Sequence, residues 1–154
     1  MRGKKSLISV FFSTSGFKCI DFLESNQRVN AQYCILRYAD ILESLEGKPF
    51  YLHLDNAPAH YATKAKKWLE EHNVTILKHP PYSPDLAPCD FWLLGYLKGM
   101  LKGKSFCTSK ELQDDVKVVL LNLKAKIFRT VLNEWIRRLK ECIARRGDYI
   151  EIHQ

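Results

Sequence analysis

The sequence lacks the features that mark secreted, membrane-spanning and zinc-finger proteins. Its five cysteines are odd in number and include no Cys-x-x-Cys pair, so free thiols in a reducing compartment are favoured over a zinc site or a disulfide framework. No apolar run approaches 18 residues, which argues against a membrane-spanning helix. The basic start of the chain is too short, and is broken too soon by the turn residues at 13–16, for a signal peptide. We therefore expect an intracellular protein that does not contact membranes.

Acidic residues are in the minority. Seventeen Asp and Glu against 24 Lys and Arg give a net charge of +7, and such an excess favours a polyanionic partner because Lys and Arg release the counterions condensed on phosphates. A solvated cationic surface explains the same charge without a partner. Both readings apply to the C-terminal basic cluster, whose members are candidates for contacts with DNA phosphates: Arg137, Arg138, Lys140, Arg145 and Arg146.

Hydrophobic periodicity predicts an α/β domain with a mixed sheet. Alternation and a Ser-Thr-Ser-Gly turn predict a hairpin at 6–23. Asn30 is placed to cap a helix, whose apolar stripe is spaced at i, i+4, i+7, i+8 and i+11: Cys34, Tyr38, Ile41, Leu42 and Leu45. The organisation that follows is one domain over 1–154, with the hairpin, a core at 31–92 and C-terminal helices at 109–147.

Two aspartates stand out within that core. Asp55 follows a short apolar run at 50–54 that is typical of a buried strand, and Asn56 is placed to cap the next helix. A second strand is predicted at 74–77, and a loop with four prolines then leads to Asp90, at the start of a helix that we expect the glycines at 95, 99 and 103 to break.

Carboxylates that a fold brings together repel each other, and a divalent cation removes that repulsion. This is why paired acidic residues form Mg²⁺ or Mn²⁺ sites. The end of a buried strand is where ligands collect in α/β sheets. Asp55 and Asp90 are therefore candidate metal ligands, with 90 − 55 − 1 = 34 residues between them. Asp85, in the proline-rich turn, is expected to bond local backbone instead.

The sequence around both aspartates resembles the catalytic domain of mariner-type transposases of the Tc1/mariner superfamily. Leu-His-Leu-Asp-Asn-Ala-Pro-Ala-His at 52–60 is similar to the motif around the second catalytic aspartate of that family. Tyr-Ser-Pro-Asp-Leu-Ala-Pro-Cys-Asp-Phe-Trp-Leu-Leu at 82–94 is similar to the loop leading to the third, and the spacing of 34 with Asp at the third position is the mariner variant. Trp135 and the segment 147–151 resemble mariner C-termini.

The resemblance implies an RNase H-like fold and a metal-dependent transposase. In the intact family two Mg²⁺ or Mn²⁺ ions assist phosphodiester hydrolysis at transposon ends, and the freed 3′-hydroxyl then attacks target DNA. Asp55 and Asp90 would be catalytic metal ligands, and Asn56 and His60 match positions near the site. The resemblance also implies DNA as a partner, homodimer formation and a location in the nucleus.

The chain departs from the family pattern at its start. The first catalytic aspartate belongs to a strand upstream of the hairpin, and Asp21, on the hairpin itself, matches no family ligand and is expected to be a solvated strand residue. We therefore expect an RNase H-like sheet that lacks its first, central strand, and a chain that does not cleave DNA alone. A truncated or decayed transposase, a non-catalytic nucleic-acid-binding module and a dimerisation module are the three functions that the sequence leaves open.

Overall fold

The computed structural model describes residues 6–147, which divide into two compact units. The first unit comprises residues 6–12 and 17–81, and the second comprises 13–16 and 82–147. The hairpin and both parallel strands contribute to the first unit, whereas the three C-terminal helices belong to the second. The last part of the predicted C-terminal motif, 148–151, lies outside the described residues.

The β-structure is interrupted. Strands β1 (Leu7–Ser13) and β2 (Gly16–Leu23) form the predicted hairpin. Strands β3 (Tyr51–His53) and β4 (Thr75–Leu77) pair in parallel, with Leu52 opposite Ile76. Within residues 6–147 the two pairs are separate two-stranded sheets rather than one mixed sheet.

Helix α1 (Ala31–Ser44) begins where its cap predicts. The Asn30 side chain accepts the Tyr33 N–H at 2.9 Å, which satisfies one of the free donors of the first turn. Three residues of the predicted stripe are buried, Cys34, Tyr38 and Ile41. They pack in one core with Leu52 of β3, with Leu54 just after it, and with Ala65 and Leu69 of helix α2 (Thr63–Glu71). Gly47 follows the helix with φ of 72°, a left-handed conformation that glycine adopts at low cost.

The prediction that Asn56 caps the next helix is wrong. The segment after Asp55 forms a 3₁₀ turn, Pro58–Tyr61, and α2 begins only at Thr63, neither with a side-chain cap. Pro58 has no N–H, so the donor that a capping Asn56 would meet two residues on is missing. The Ala57 N–H is taken instead by Asp55 Oδ1 at 3.0 Å.

In the second unit, the proline loop leads into a continuous helical segment. A 3₁₀ turn, Pro84–Leu86, precedes a π-helical turn, Cys89–Leu93, which continues as α3 (Leu94–Leu101). The prediction that Gly95 and Gly99 break this helix is wrong. Each glycine costs roughly 1 kcal/mol in a helix, and burial of the neighbouring Leu93 and Leu97 offsets that cost. Gly103, with φ of 80°, lies beyond its end.

Helices α4 (Ser109–Leu121) and α5 (Ala125–Ala144) complete the second unit. Apolar residues recur at every fourth position from Ile127 to Ile143, and this spacing predicts that the two isoleucines share the buried face of α5. The prediction is wrong, because they are 37% and 78% exposed. Steps of four residues drift around a helix with 3.6 residues per turn. The buried residues of α5 are instead Phe128, Val131 and Arg138, at spacings of three and seven that keep to one helix face.

Candidate active site

Asp55 lies just beyond the carboxyl end of β3, as the sequence predicts. Its side chain is 65% exposed. Oδ1 accepts the Ala57 N–H at 3.0 Å and lies 3.4 Å from Nε2 of His60. No hydrogen bond or ion pair engages Oδ2 among residues 6–147. One oxygen is therefore fixed by the turn, and the other is left unpaired within the described part of the chain.

His60 connects Asp55 to the core of the first unit. Its imidazole lies on the 3₁₀ turn with Nδ1 2.7 Å from the Tyr38 hydroxyl and 3.5 Å from Cys34 Sγ. Burial lowers the pKa of His60, against a smaller opposing effect of Asp55, so the neutral imidazole is favoured. Burial likewise raises the pKa of the Tyr38 hydroxyl and of the Cys34 thiol. Cys34 is therefore a poor candidate for a reactive thiolate.

The sequence placed Tyr38 and Cys34 on the apolar stripe of α1 and missed their polar contacts. Tyr38 has no exposed surface, and a buried tyrosine hydroxyl needs a hydrogen-bonding partner. The place of Tyr38 on a buried helix face therefore indicates, from the sequence, that its hydroxyl has a polar partner. It does not reveal which of the five histidines of the chain is the partner, because the answer depends on how the 3₁₀ turn packs against α1.

A cavity of about 220 Å³ opens beside Asp55. It is lined by β1, by α1 and by the segment after β3, and its charged or polar lining includes Arg37, Asp55 and His60. Apolar side chains of β1 such as Ile8 and Phe11 form another part of the wall. The Asp55 carboxylate thus borders a partly apolar recess rather than a flat surface.

Asp21, on β2, is not the solvated residue that the alternation predicts. Its Oδ2 accepts a hydrogen bond from the Tyr33 hydroxyl at 2.7 Å and pairs with Arg37 Nη1 at 3.1 Å. The Asp21 side chain is 29% exposed. A carboxylate already held by a cation and a hydroxyl is a poor additional ligand for a metal ion.

Asp90 belongs to the second unit, where it lies in the first turn of the π-helical segment. Its N–H donates to the Ala87 carbonyl at 2.9 Å, and the Leu94 N–H reaches back to the Cys89 carbonyl. The residue is exposed, and no hydrogen bond or ion pair engages its carboxylate within the described part of the chain. π-Turns within helices are rare and often occur at functional sites.

Helix α5 holds the loop that precedes Asp90. Trp135 Nε1 donates to the Leu86 carbonyl at 2.8 Å, and Arg138 Nη1 donates to the Asp85 carbonyl at 3.1 Å. The Arg138 guanidinium also lies over the Phe91 ring, 4.1 Å from its centroid. The Asp90 loop is thus positioned by residues more than 40 positions away in the sequence.

The basic cluster of α5 is largely engaged within the helix. Arg138 is only 7% exposed and bonds Glu134 Oε1 at 2.9 Å, so the prediction that it contacts a DNA phosphate is corrected to a structural role. Arg137 bonds Glu134 and Glu141, and Arg145 pairs with Glu141. Hydrogen bonds from Arg137 and Arg138 outweigh partial burial and lower the pKa of Glu134 to about 2. Lys140 and Arg146 make no ion pair within the described residues.

Asn56 and His53, on either side of Leu54 and Asp55, differ in their surroundings. Asn56 is exposed and makes no hydrogen bond among residues 6–147. His53 is partly buried and has Nε2 3.2 Å from Nδ1 of His79. Burial, and secondarily the neighbouring His79, lower the pKa of His53 to about 4.

The donors suit a hard divalent cation, although they are few. Asp55 and Asp90 each offer carboxylate oxygens that the protein leaves accessible, and Mg²⁺ and Mn²⁺ prefer oxygen ligands. In the described range, however, no three His, Cys, Asp or Glu side chains are grouped closely enough to hold a metal ion by themselves. Asp55, Asn56 and His60 lie together in the first unit, whereas Asp90 is in the second.

Two known proteins are similar to nearly the whole chain. The mariner Mos1 transposase of Drosophila mauritiana is 26% identical over 159 residues, which cover 97% of this chain and 46% of the transposase. The human histone-lysine N-methyltransferase SETMAR is 26% identical over 161 residues, covering 96% of this chain and 23% of that protein. The chain therefore spans less than half the length of these curated relatives.

The fold comparison agrees with the sequence comparison. The crystal structure of the Mos1 mariner paired end complex with Mn matches with a TM-score of 0.88 and 26% identity, over 97% of this chain and 46% of that chain. The predicted RNase H-like α/β fold is thereby confirmed. Among the helices of residues 6–147, none combines the length and apolar character needed to cross a membrane.

The family itself is shown by a direct match over residues 2–113, which include both motif aspartates. The chain therefore belongs to the DDE superfamily endonuclease family, and it is homologous to the catalytic domain of mariner-type transposases.

Proposed function

We propose that this chain is a mariner-type transposase domain that uses Asp55 and Asp90 as ligands for Mg²⁺ or Mn²⁺ but does not cleave DNA by itself. The observation that carries the proposal is the presence of both motif aspartates as exposed carboxylates, with the Oδ2 oxygen of Asp55 unengaged. The Mn ion in the Mos1 paired end complex supports a divalent metal. When bound, such an ion neutralises the carboxylates and polarises a phosphodiester.

The expected lack of cleavage follows from the ligand count. The family resemblance places a further aspartate on a strand before the hairpin, whereas the two Asp residues that precede Asp55 here, Asp21 and Asp40, are both paired with Arg37. Two carboxylates bind one hard cation weakly, because Mg²⁺ and Mn²⁺ at phosphoryl-transfer sites are held in defined geometry by several oxygens. A carboxylate supplied by a second chain would remove this restriction.

DNA is the partner that the proposal implies, through contacts with the backbone rather than with bases. Lys140 and Arg146 are the members of the C-terminal cluster without an ion pair among the described residues, and the net charge of the chain is +7. Phosphate contacts of this kind are independent of sequence and weaken with salt. A nuclear location is part of the same proposal.

A nicking assay tests the central part of the proposal. The 154-residue chain is incubated with supercoiled plasmid carrying transposon ends, in Mg²⁺ and separately in Mn²⁺, beside Asp55→Ala. We expect no nicking above the background set by Asp55→Ala. Metal-dependent nicking by the unmodified chain that disappears in Asp55→Ala would contradict the proposed inactivity, and would show a complete site.

The second candidate is a non-catalytic module for nucleic-acid binding or dimerisation. Two exposed isoleucines seven residues apart on α5, Ile136 and Ile143, favour dimerisation, because residues i and i+7 share a helix face. A DNA affinity that falls with salt by the equivalent of several phosphates supports nucleic-acid binding. A concentration-dependent molecular mass without DNA affinity supports dimerisation instead.

A further inference from the structure

We propose that His60 is a positioning residue for Asp55: its imidazole, oriented by Tyr38, holds one oxygen of the Asp55 carboxylate and leaves the other to a metal ion. This inference rests on the proposed function, in which Asp55 is a metal ligand. The inference adds a specific tautomer of His60. It also adds a series of contacts that runs from Tyr38 in the core of the first unit through His60 to the Asp55 carboxylate.

The hydrogen atoms can be assigned from the chemistry of the three groups. An ionised carboxylate only accepts hydrogen bonds, so the ring nitrogen that faces Asp55 Oδ1 at 3.4 Å, Nε2, carries the hydrogen. In a neutral imidazole Nδ1 is then the acceptor. The Tyr38 hydroxyl, 2.7 Å away, donates to it. The opposite tautomer would place the Nε2 lone pair against the carboxylate.

The arrangement is built from rigid parts. Tyr38 has no exposed surface, and its ring contacts Phe11 and Trp68 with centroid distances of 6.2 Å in each case. His60 is 14% exposed and lies on a 3₁₀ turn that begins with Pro58, whose ring fixes the backbone. Cys34 Sγ, 3.5 Å from Nδ1, fills the remaining space beside that nitrogen. The imidazole therefore has one orientation available.

The fixed imidazole in turn limits how the Asp55 carboxylate can turn. Its Oδ1 is held from two sides, by the Ala57 N–H at 3.0 Å and by His60, which fixes the direction of Oδ2. Groups that orient a metal ligand in this way typically change metal affinity by roughly 10- to 100-fold when they are removed. The 3.4 Å contact is long for a hydrogen bond, and catalytic contacts often shorten when a ligand binds.

The tautomer is tested first, without metal. Nitrogen-15 NMR of the imidazoles in the whole chain, with His60 assigned through His60→Gln, reports which ring nitrogen carries the hydrogen. We expect hydrogen on Nε2 and a bare Nδ1. Hydrogen on Nδ1 would overturn the proposed arrangement, whatever the metal affinity of Asp55.

The metal affinity is tested with Mn²⁺ by electron paramagnetic resonance on the same chain. His60→Leu removes the donor and is expected to weaken Mn²⁺ binding by roughly tenfold, whereas His60→Gln, which retains an N–H at a similar reach, restores most of it. Circular dichroism checks that both variants fold. Tyr38→Phe, which keeps His60 but removes its orienting hydroxyl, is expected to have an intermediate effect.

The outcomes separate this inference from the proposed function. If Asp55→Asn binds Mn²⁺ as the unmodified chain does, Asp55 is not a ligand and the proposed function fails. If Asp55→Asn loses binding but His60→Leu does not, only the positioning role fails. Pulsed electron paramagnetic resonance that detects an imidazole nitrogen coordinated directly to Mn²⁺ would also overturn the positioning role, because His60 would then be a ligand.

Discussion

Asp55 and Asp90 are both exposed aspartates from family motifs, yet the protein holds them in different ways. Asp55 is held by its own side chain, through the Ala57 N–H and His60, within six residues of sequence. The Asp90 carboxylate has no such partner in the described range; its backbone is held by a π-turn and by α5. The first site therefore depends on contacts that are local in sequence, and the second on the packing of a distant helix.

The largest loss of stability is expected when the side chain that holds the Asp90 loop, Arg138, is removed. Arg138→Ala removes a buried guanidinium that bonds Asp85 O and Glu134 and stacks on Phe91. We expect a loss of about 2–4 kcal/mol in the free energy of unfolding, because buried polar partners are left unpaired. Tryptophan fluorescence during urea unfolding measures it.

The matched control for that change is Arg137→Ala on the same helix. Arg137 is 57% exposed and pairs with Glu134 and Glu141, so solvent screening is expected to make its loss much smaller than that of Arg138→Ala. Equal losses in the two variants would show that burial of Arg138 contributes nothing to the Asp90 loop.

The support of Asp55 is expected to be weaker. Tyr38→Phe leaves the ring packed and deprives His60 Nδ1 of its donor, which is expected to cost about 1–2 kcal/mol. Tyr51→Phe, at a position 73% exposed on β3, serves as the control and is expected to change stability little. Thermal unfolding followed by circular dichroism compares the two, and the contrast disappears if the Tyr38 hydroxyl is not bonded.

Acid is expected to weaken the first unit through His53. Its folded-state pKa is lowered to about 4 by burial and by His79, so below about pH 6.5 the unfolded chain binds a proton that the folded chain does not. The stability present above pH 6.5 is lost as the pH falls through 4, by roughly 1 kcal/mol after discounting for solvent screening. His53→Asn is expected to flatten this part of the pH profile of Tm. A profile identical to that of the unmodified chain would argue against the His53 contribution.

The smallest effects are expected at the helix caps, one in each unit. Asn30 caps α1 and Thr108 caps α4, each accepting a backbone N–H three residues on, at 2.9 and 3.1 Å. Replacement of either by Ala is expected to cost about 0.5–1 kcal/mol. Thr108→Ala should cost less, because Glu111 still bonds the Cys107 N–H. Calorimetry of the two variants distinguishes the losses, and a larger loss at Thr108 would contradict this ranking.

The sequence predicts the parts of the fold that local chemistry determines. The Asn30 cap and the spacing of Cys34, Tyr38 and Ile41 place α1 correctly, because capping and burial act within one helix. Alternation and a turn likewise predict the hairpin, and short apolar runs predict the strands of the parallel pair.

The sequence does not predict the features that depend on distant partners. The Asp90 loop is held by Trp135 and Arg138 of α5, 49 and 53 residues away from their loop partners, and no local pattern indicates those contacts. The failure of Asn56 to cap the next helix, by contrast, could be predicted from the sequence. A proline two residues after Asn56 removes the N–H that a cap requires. The role of Tyr38 depends on the packing of the 3₁₀ turn on α1.

The central claim is that Asp55 and Asp90 are both ligands for a divalent metal ion, and a Mn²⁺ titration of single variants tests it most directly. Electron paramagnetic resonance counts free Mn²⁺ over the unmodified chain, Asp55→Asn and Asp90→Asn, with Asp85→Asn as the control from the same proline-rich motif. We expect each of the first two variants to bind Mn²⁺ at least tenfold more weakly than the unmodified chain, and Asp85→Asn to bind it normally. Unchanged binding in either Asp55→Asn or Asp90→Asn would contradict the claim.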